Sequence, residues 1–279
     1  MPYKSLLCVV SDYDHGLAAL EHAISFASTE SAHLEVLCLG IDLTQTTSYY
    51  AGANAVILQE TITRSVQEAE ELKAKVENRL KTETILWSTA QSVAALADLG
   101  RHVAARARFA DLVILPHPYG NGVGPEQEVI LESCLFEAKA PALVVPNNTG
   151  SAIEPKRIVI GWNESSEAMT AIRAALPMLK RAAGVCITVV DPPVHSPNRS
   201  DPGGMLSQFL ARHGVHSEIS VLSKSLPRVS DVIMRHINDS NADLLVMGAY
   251  GHSRLREAIF GGATRNMLEE ATVPIFLAH

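Results

Sequence analysis

Short unbroken apolar runs alternate along this chain with longer stretches in which apolar residues return every three or four positions. In the second half the runs fall near 157–162, 185–190, 215–222, 243–248 and 273–278. Between them, 165–180 carries Met169, Ile172, Leu176 and Leu179 at helical spacing, and 204–213, 228–238 and 263–271 also predict helices. The first half repeats the order, with strands near 5–11, 34–41, 83–88, 111–116 and 142–146. Its second helix, about 54–81, is long and rich in Glu and Lys, which marks a solvated face. Strands that are continuous Val, Ile and Leu runs are buried on both faces, and strand–helix alternation then implies parallel strands with right-handed crossovers. The expected class is α/β, with two doubly wound, Rossmann-like domains, each a five-stranded parallel sheet flanked by helices.

The two halves are copies. KSLLCVVS at 4–11 matches KRIVIGWN at 156–163, FADLVIL at 109–115 matches NADLLVM at 241–247, and APALVV at 140–145 answers VPIFL at 273–277. The offset is 152 at the first match and 132 at the second, so the first half holds about 20 additional residues between them. A polar, turn-forming stretch at 147–151 suits a linker. Domains of 1–148 and 152–279 follow.

Composition narrows the class. The 279 residues are 47% hydrophobic, which excludes a disordered chain, and no apolar run reaches a membrane-spanning length. The first residues lack a signal-peptide pattern, so a cytoplasmic location is expected, without membrane association. Cys8, Cys38, Cys134 and Cys186 form no C-x-x-C pair, so they read as free thiols rather than a zinc or redox motif. Residues 1–148 hold 10 Lys and Arg against 18 Asp and Glu, whereas 149–279 hold 13 against 12. No basic face for nucleic acid is indicated, and the near-neutral second half is the better host for a small polyanion.

Sheets of this kind bind ligands beyond the carboxyl ends of the strands, where strand order reverses. In a five-stranded unit that crevice lies between the first and fourth strands, after Val10 and Leu115 in one half and after Trp162 and Met247 in the other. After the fourth strand of the second half, Gly248, Gly251, Gly261 and Gly262 form the pattern G-x2-G-x9-G-G, followed by a helix from Ala263. Glycines at 248 and 251 allow positive φ and close ligand approach. Free amides at the helix start suit a phosphate chain. Ser253 and Thr264 can add hydroxyl donors, and Arg254 or Arg265 can neutralise charge.

With these residues the chain resembles the universal stress protein family, in tandem form, across essentially its whole length. The resemblance implies an adenine nucleotide, ATP or AMP, in the second domain. It also implies a stress-response role through ligand-dependent assembly or partner binding. Because family members pair through their last strands, an intramolecular pseudo-dimer of the halves and a homodimer are implied as well. Gly248, Gly251 and Gly261 match the family's three glycines, whereas Gly262 stands where ATP binders carry Ser or Thr. Asn163 replaces the acidic residue that ends the first strand in ATP binders, and it can still donate and accept. Val190 matches the position whose backbone meets adenine.

The first half departs from the pattern. Pro116 and Tyr119 replace the first two glycines, Val129 or Ile130 stands near the third, and Ser11 followed by Asp12 occupies the acidic position. Pro116 and Pro118 offer no N–H, and Glu126 and Glu128 repel phosphate. Gly120, Gly122 and Gly124 form a loop of the wrong spacing. This half reads as a structural partner or as a site for something else.

Trp162 is as suited to stacking on a base as to covering the sheet end. His195, His213 and His216 lack the acidic or Cys company of a metal site, and His252 reads as solvent-exposed. Ser165-Ser166-Glu167 reads as a helix cap. No catalytic motif, P-loop Lys or Mg²⁺-holding carboxylate is placed for efficient phosphoryl transfer, so at most slow ATP hydrolysis is expected. The alternative to nucleotide binding is a ligand-free dimeric scaffold of the same fold.

Overall fold

The computed structural model describes residues 3–42, 54–120, 122–147, 154–192, 201–249 and 262–279. The chain divides into two compact units, Tyr3–Ala140 and Pro141–His279.

The first unit runs β1 (Ser5–Val10), α1 (Tyr13–Glu30), β2 (His33–Asp42), α2 (Asn54–Leu80), β3 (Leu86–Ala95), α3 (Leu96–Ala107), β4 (Leu112–Pro116) and α4 (Glu126–Glu132). A π-helical turn, Ser133–Glu137, continues α4. The strand order is β3-β2-β1-β4, with all pairs parallel. β1 and β4 are buried almost throughout, as continuous apolar runs require. Asp12 starts α1 by accepting a hydrogen bond from the His15 N–H at 2.8 Å. Ser31, at φ 49°, ends the helix in the left-handed region.

β3 departs from expectation. Its apolar run suggests 83–88, but the strand occupies Leu86–Ala95 and pairs with β2 through all ten residues. Apart from Ala94 its residues are half-buried or exposed, so the polar Ser88, Thr89, Gln91 and Ser92 conceal it from a search for buried runs.

The second unit contains β5 (Ala142–Val145), β6 (Arg157–Gly161), α5 (Ser166–Leu179), β7 (Gly184–Val190) and α6 (Gly204–Arg212). It continues with β8 (Glu218–Leu222), α7 (Val229–Ser240), β9 (Leu244–Gly248), α8 (Ala263–Glu270) and β10 (Ile275–Ala278). Within this unit the order is β5-β10-β9-β6-β7-β8. The pairs from β10 to β8 are parallel, but β5 runs antiparallel to β10, with Ile275 opposite Val144 and Leu277 opposite Ala142. The last strand of one sequence repeat is therefore hydrogen-bonded to the last strand of the other. The additional length of the first repeat sits largely in α2, which has 27 residues where α6 has nine. No helix of the described residues is long and apolar enough to cross a membrane.

The repeated Ala-Asp pair has a specific task. The Asp111 carboxylate accepts from the backbone N–H groups of Lys4 and Ser5 at 2.7 and 2.9 Å, while its own N–H donates to the Ser5 carbonyl at 2.8 Å. Asp243 repeats this with Lys156 and Arg157 at 2.9 to 3.0 Å, and its N–H donates to the Arg157 carbonyl at 2.9 Å. Each clamp satisfies strand-end amides and fixes the first strand of its repeat beside the fourth. Replacing Asp243 with Ala is expected to lower the stability of the chain by about 1–2 kcal/mol. Urea unfolding checks this, and an unchanged midpoint would contradict the clamp.

Candidate functional site

In the second unit β6 lies between β7 and β9, so strand order reverses between the first and fourth strands of the repeat, as expected. The carboxyl ends of β6 and β9 bring together Trp162, Asn163, the start of α5 and Gly248. Trp162 is half-buried, and its N–H donates to the Thr188 carbonyl at 3.0 Å. Asn163 is exposed, and its Oδ1 accepts from the Ser165 N–H at 3.2 Å. Its amide side chain thus shapes the turn into α5. Glu164 takes the left-handed conformation at φ 61°, and Ser165 Oγ caps α5 by accepting from the Ala168 N–H at 3.1 Å. Val190 is half-buried at the end of β7, opposite Leu222.

Gly248 is required, but not for the reason the sequence suggests. Positive φ occurs among the described glycines at Gly120, Gly122, Gly203 and Gly214, and not at Gly248. A Cβ at Gly248 would fall 2.4 Å from the backbone nitrogen of Ala168 and 2.7 Å from the carbonyl carbon of Glu167. The absent side chain lets β9 press against the first turn of α5. Glu167 lies in that turn with its carboxyl pKa held down, chiefly by its own backbone N–H and then by the Ser166 and Ser165 hydroxyls. The His279 side chain adds to this, and its Nδ1 donates to the Ala249 carbonyl at 3.0 Å.

α8, which follows β9 in the chain, begins at Ala263 after Gly262, whose backbone is extended. Thr264, at its second position, is buried, and Arg265 is exposed and paired with Glu269 at 2.9 Å. Gly251, Ser253, Arg254 and Gly261 lie outside the described residues, as do His252 and His195. His213 is in ring contact with Phe209 at 4.6 Å. Among the described residues no group of three or more His, Cys, Asp or Glu side chains is arranged to hold a metal ion.

The corresponding crevice of the first unit is bridged by its own side chains. His15 Nε2 donates to the His117 carbonyl at 2.9 Å, joining α1 to the segment after β4. Buried Gln127 reaches from α4 to donate to Ser11 Oγ at 2.6 Å, and Tyr119 donates to Glu128 at 3.1 Å. Glu126 and Glu128 sit in the first turn of α4, where their charge suits the helix dipole. The acidic position is consumed as well, since Asp12 caps α1. The Pro and Tyr substitutions showed that the glycine pattern was lost. They gave no sign of what replaced it, because His15 and Gln127 lie about 100 residues from their partners.

Two expectations follow. Gly248→Ala forces the strand from the helix and lowers stability by about 1–3 kcal/mol without any ligand. Gly184→Ala, where an added Cβ meets nothing within 4 Å, is neutral or stabilising by up to about 1 kcal/mol. Thermal unfolding of both variants tests the pair. The second expectation concerns acid. Burial lowers the pKa of His15, so the folded chain favours the neutral ring while the unfolded chain titrates near 6.5. As pH falls below 6.5, the unfolded state takes up protons first and stability declines until the lowered folded-state pKa is passed. His15→Gln should flatten that part of the stability–pH profile; a profile identical to wild type would refute it.

Comparisons with known proteins agree with this architecture. The universal stress protein family model matches residues 154–279. A universal stress protein of Synechocystis is 32% identical over 72 residues, which is 26% of this chain and 24% of that protein, so the match spans about a quarter of the relative. The crystal structure of a universal stress protein from Archaeoglobus fulgidus superposes with a TM-score of 0.70 at 15% identity, covering 98% of this chain and 96% of its own. A functionally unknown protein from Pseudomonas aeruginosa superposes at 0.61 with 16% identity, covering 99% and 92%. These structures establish the fold of both halves. Residues 154–279 are thus similar to the universal stress protein family, and both halves carry the fold of its solved members.

Proposed function

We propose that the second unit binds one adenine nucleotide, ATP or AMP, in the crevice between β6 and β9. In this reading, ligand state governs assembly of the chain or its binding to a protein partner during stress. The protein acts as a nucleotide-responsive binder, with ATP hydrolysis slow at most. The supporting observation is the reversal of strand order between β6 and β9, with α8 starting at Gly262–Ala263 after β9 in the chain. Helix amides and strand ends directed at one crevice suit a phosphate chain and the sugar it carries. Asn163 and the backbone after Val190 stand on the side suited to the nucleoside, and Gly248, Gly262, Ala263 and Thr264 on the side suited to phosphate. Gly251, Ser253 and Gly261 complete the phosphate side by sequence. The first unit, with its crevice bridged, takes no nucleotide.

One observation favours the scaffold reading instead. Ser165 already caps α5, and the first turn of that helix, against which Gly248 packs, carries Glu167 with its carboxyl pKa held down, a negative charge that repels phosphate.

Native mass spectrometry of the purified chain and calorimetric titration with ATP and AMP separate the readings. Nucleotide binding predicts one site per chain, and about tenfold or greater loss of affinity in Gly251→Val, equivalent to at least about 1.4 kcal/mol. Gly120→Val should keep full affinity while losing stability, because Gly120 holds φ +127° and a branched residue there is strained by about 1–3 kcal/mol. Two equivalent sites, or unaltered affinity in Gly251→Val, would overturn the assignment. Absence of retained nucleotide and of titration heat would establish the scaffold.

A further inference from the structure

A second cavity lies at the amino ends of the β6, β7 and β8 strands, away from the proposed nucleotide crevice. Its volume is about 640 Å³, within the range of small-molecule pockets, and Arg157, Gly184, Cys186, Glu218 and Ser240 help to line it. The register explains the space. Arg157 pairs with Gly184 and Cys186 pairs with Glu218, so the four positions share one face of the sheet. Gly184 leaves the centre open, since a Cβ there would meet nothing within 4 Å.

Cys186 differs from the other three thiols. Cys8, Cys38 and Cys134 are fully buried, and burial raises all three pKa values, to about 12 for Cys38 and Cys134. Such thiols are inert near neutral pH. Cys186 is half-buried on the cavity wall, with its Sγ 3.5 Å from His236 Nε2 and 3.3 Å from Ser220 Oγ. An imidazole in contact with a thiol can accept its proton, and the thiolate is the attacking species. Charge lies on both neighbouring strands, opposite Gly184 on one side and opposite Cys186 on the other. Arg157, whose Nη1 donates to the Ser240 carbonyl at 3.0 Å, lies on β6, and Glu218 lies on β8. That arrangement suits a ligand carrying both a carboxylate and an ammonium group.

We infer that Cys186 is a redox-reactive thiol that takes up an amino-acid-derived, zwitterionic disulfide in this cavity, with His236 as its proton acceptor. The Cys186 thiol passes its proton to His236 Nε2, and Sγ attacks one sulfur of the small disulfide. A new S–S bond forms as the original one breaks, and the displaced thiolate leaves with the electron pair and collects the proton from His236. One protein thiol is oxidised to a mixed disulfide and one small thiol is released.

The test treats the reduced full chain with oxidised glutathione near neutral pH and maps adducts by peptide mass spectrometry. One adduct per chain is expected, at Cys186. His236→Gln should slow its formation about tenfold, a modest effect for a proton acceptor. Gly184→Val fills the cavity and should suppress the glutathione adduct about tenfold or more. The same variant should still react with the small, neutral methyl methanethiosulfonate. Bis(2-hydroxyethyl) disulfide, which lacks both charges, should react no faster than with an unstructured cysteine peptide. Adducts at Cys8, Cys38 or Cys134, or wild-type rates in either His236→Gln or Gly184→Val, would overturn the inference. Equal preference for the neutral and zwitterionic disulfides, each taken relative to the peptide, would do so too.

Discussion

The structure depends first on the paired contacts that tie the fourth strand of each repeat to its first. Asp111 and Asp243 accept from two backbone amides at the start of the first strand and return a hydrogen bond to the same strand. These contacts set β1 beside β4 and β6 beside β9, and strand order reverses at that junction. An open α/β sheet can receive a ligand where its crossover connections diverge, so the position of the crevice is a consequence of this adjacency. The acidic residues act at one end of the strands and determine what faces one another at the opposite end.

The two crevices show how one framework is used differently. In the first unit, side chains from α1, α4 and the segment after β4 reach across the strand ends and hydrogen-bond to one another. Burial then costs His15 its charge. In the second unit the contacts run between backbone segments, with Gly248 allowing β9 to meet the first turn of α5. Side-chain bridges fill space, whereas close backbone packing brings amides and carbonyls to the rim. The same packing sets Glu167 at that rim. Any anion bound there must be held by enough amides to outweigh a carboxylate already in place.

The Cys186 cavity arises from the same economy of side chains. β8 is an edge strand of five residues, and Gly184 contributes no volume in the adjacent strand. α7 places His236 against the sulfur, although the two residues are 50 positions apart in the chain. A thiol that the sequence shows only as free is therefore half-buried and in contact with an imidazole.

Hydrophobic periodicity alone located nearly every strand of both repeats, the helices of the second and the long α2 of the first, because burial on two faces imposes unbroken apolar runs and burial on one helix face imposes a period near 3.6. The matching Ala-Asp pairs and glycine pattern likewise identified the duplication and the half of the chain to search for a ligand. Periodicity failed at β3, whose half-buried residues carry no such run. It was also silent on partners. A four-residue apolar strand such as Ala142–Val145 reads the same whether its neighbour is parallel or antiparallel, so its pairing with β10 emerged only in the fold. The role of Gly248, the bridges across the first crevice and the Cys186–His236 contact were decided in the same way. Each depends on distances between segments remote in the chain, and those distances are set by packing rather than by any local preference of the residues involved.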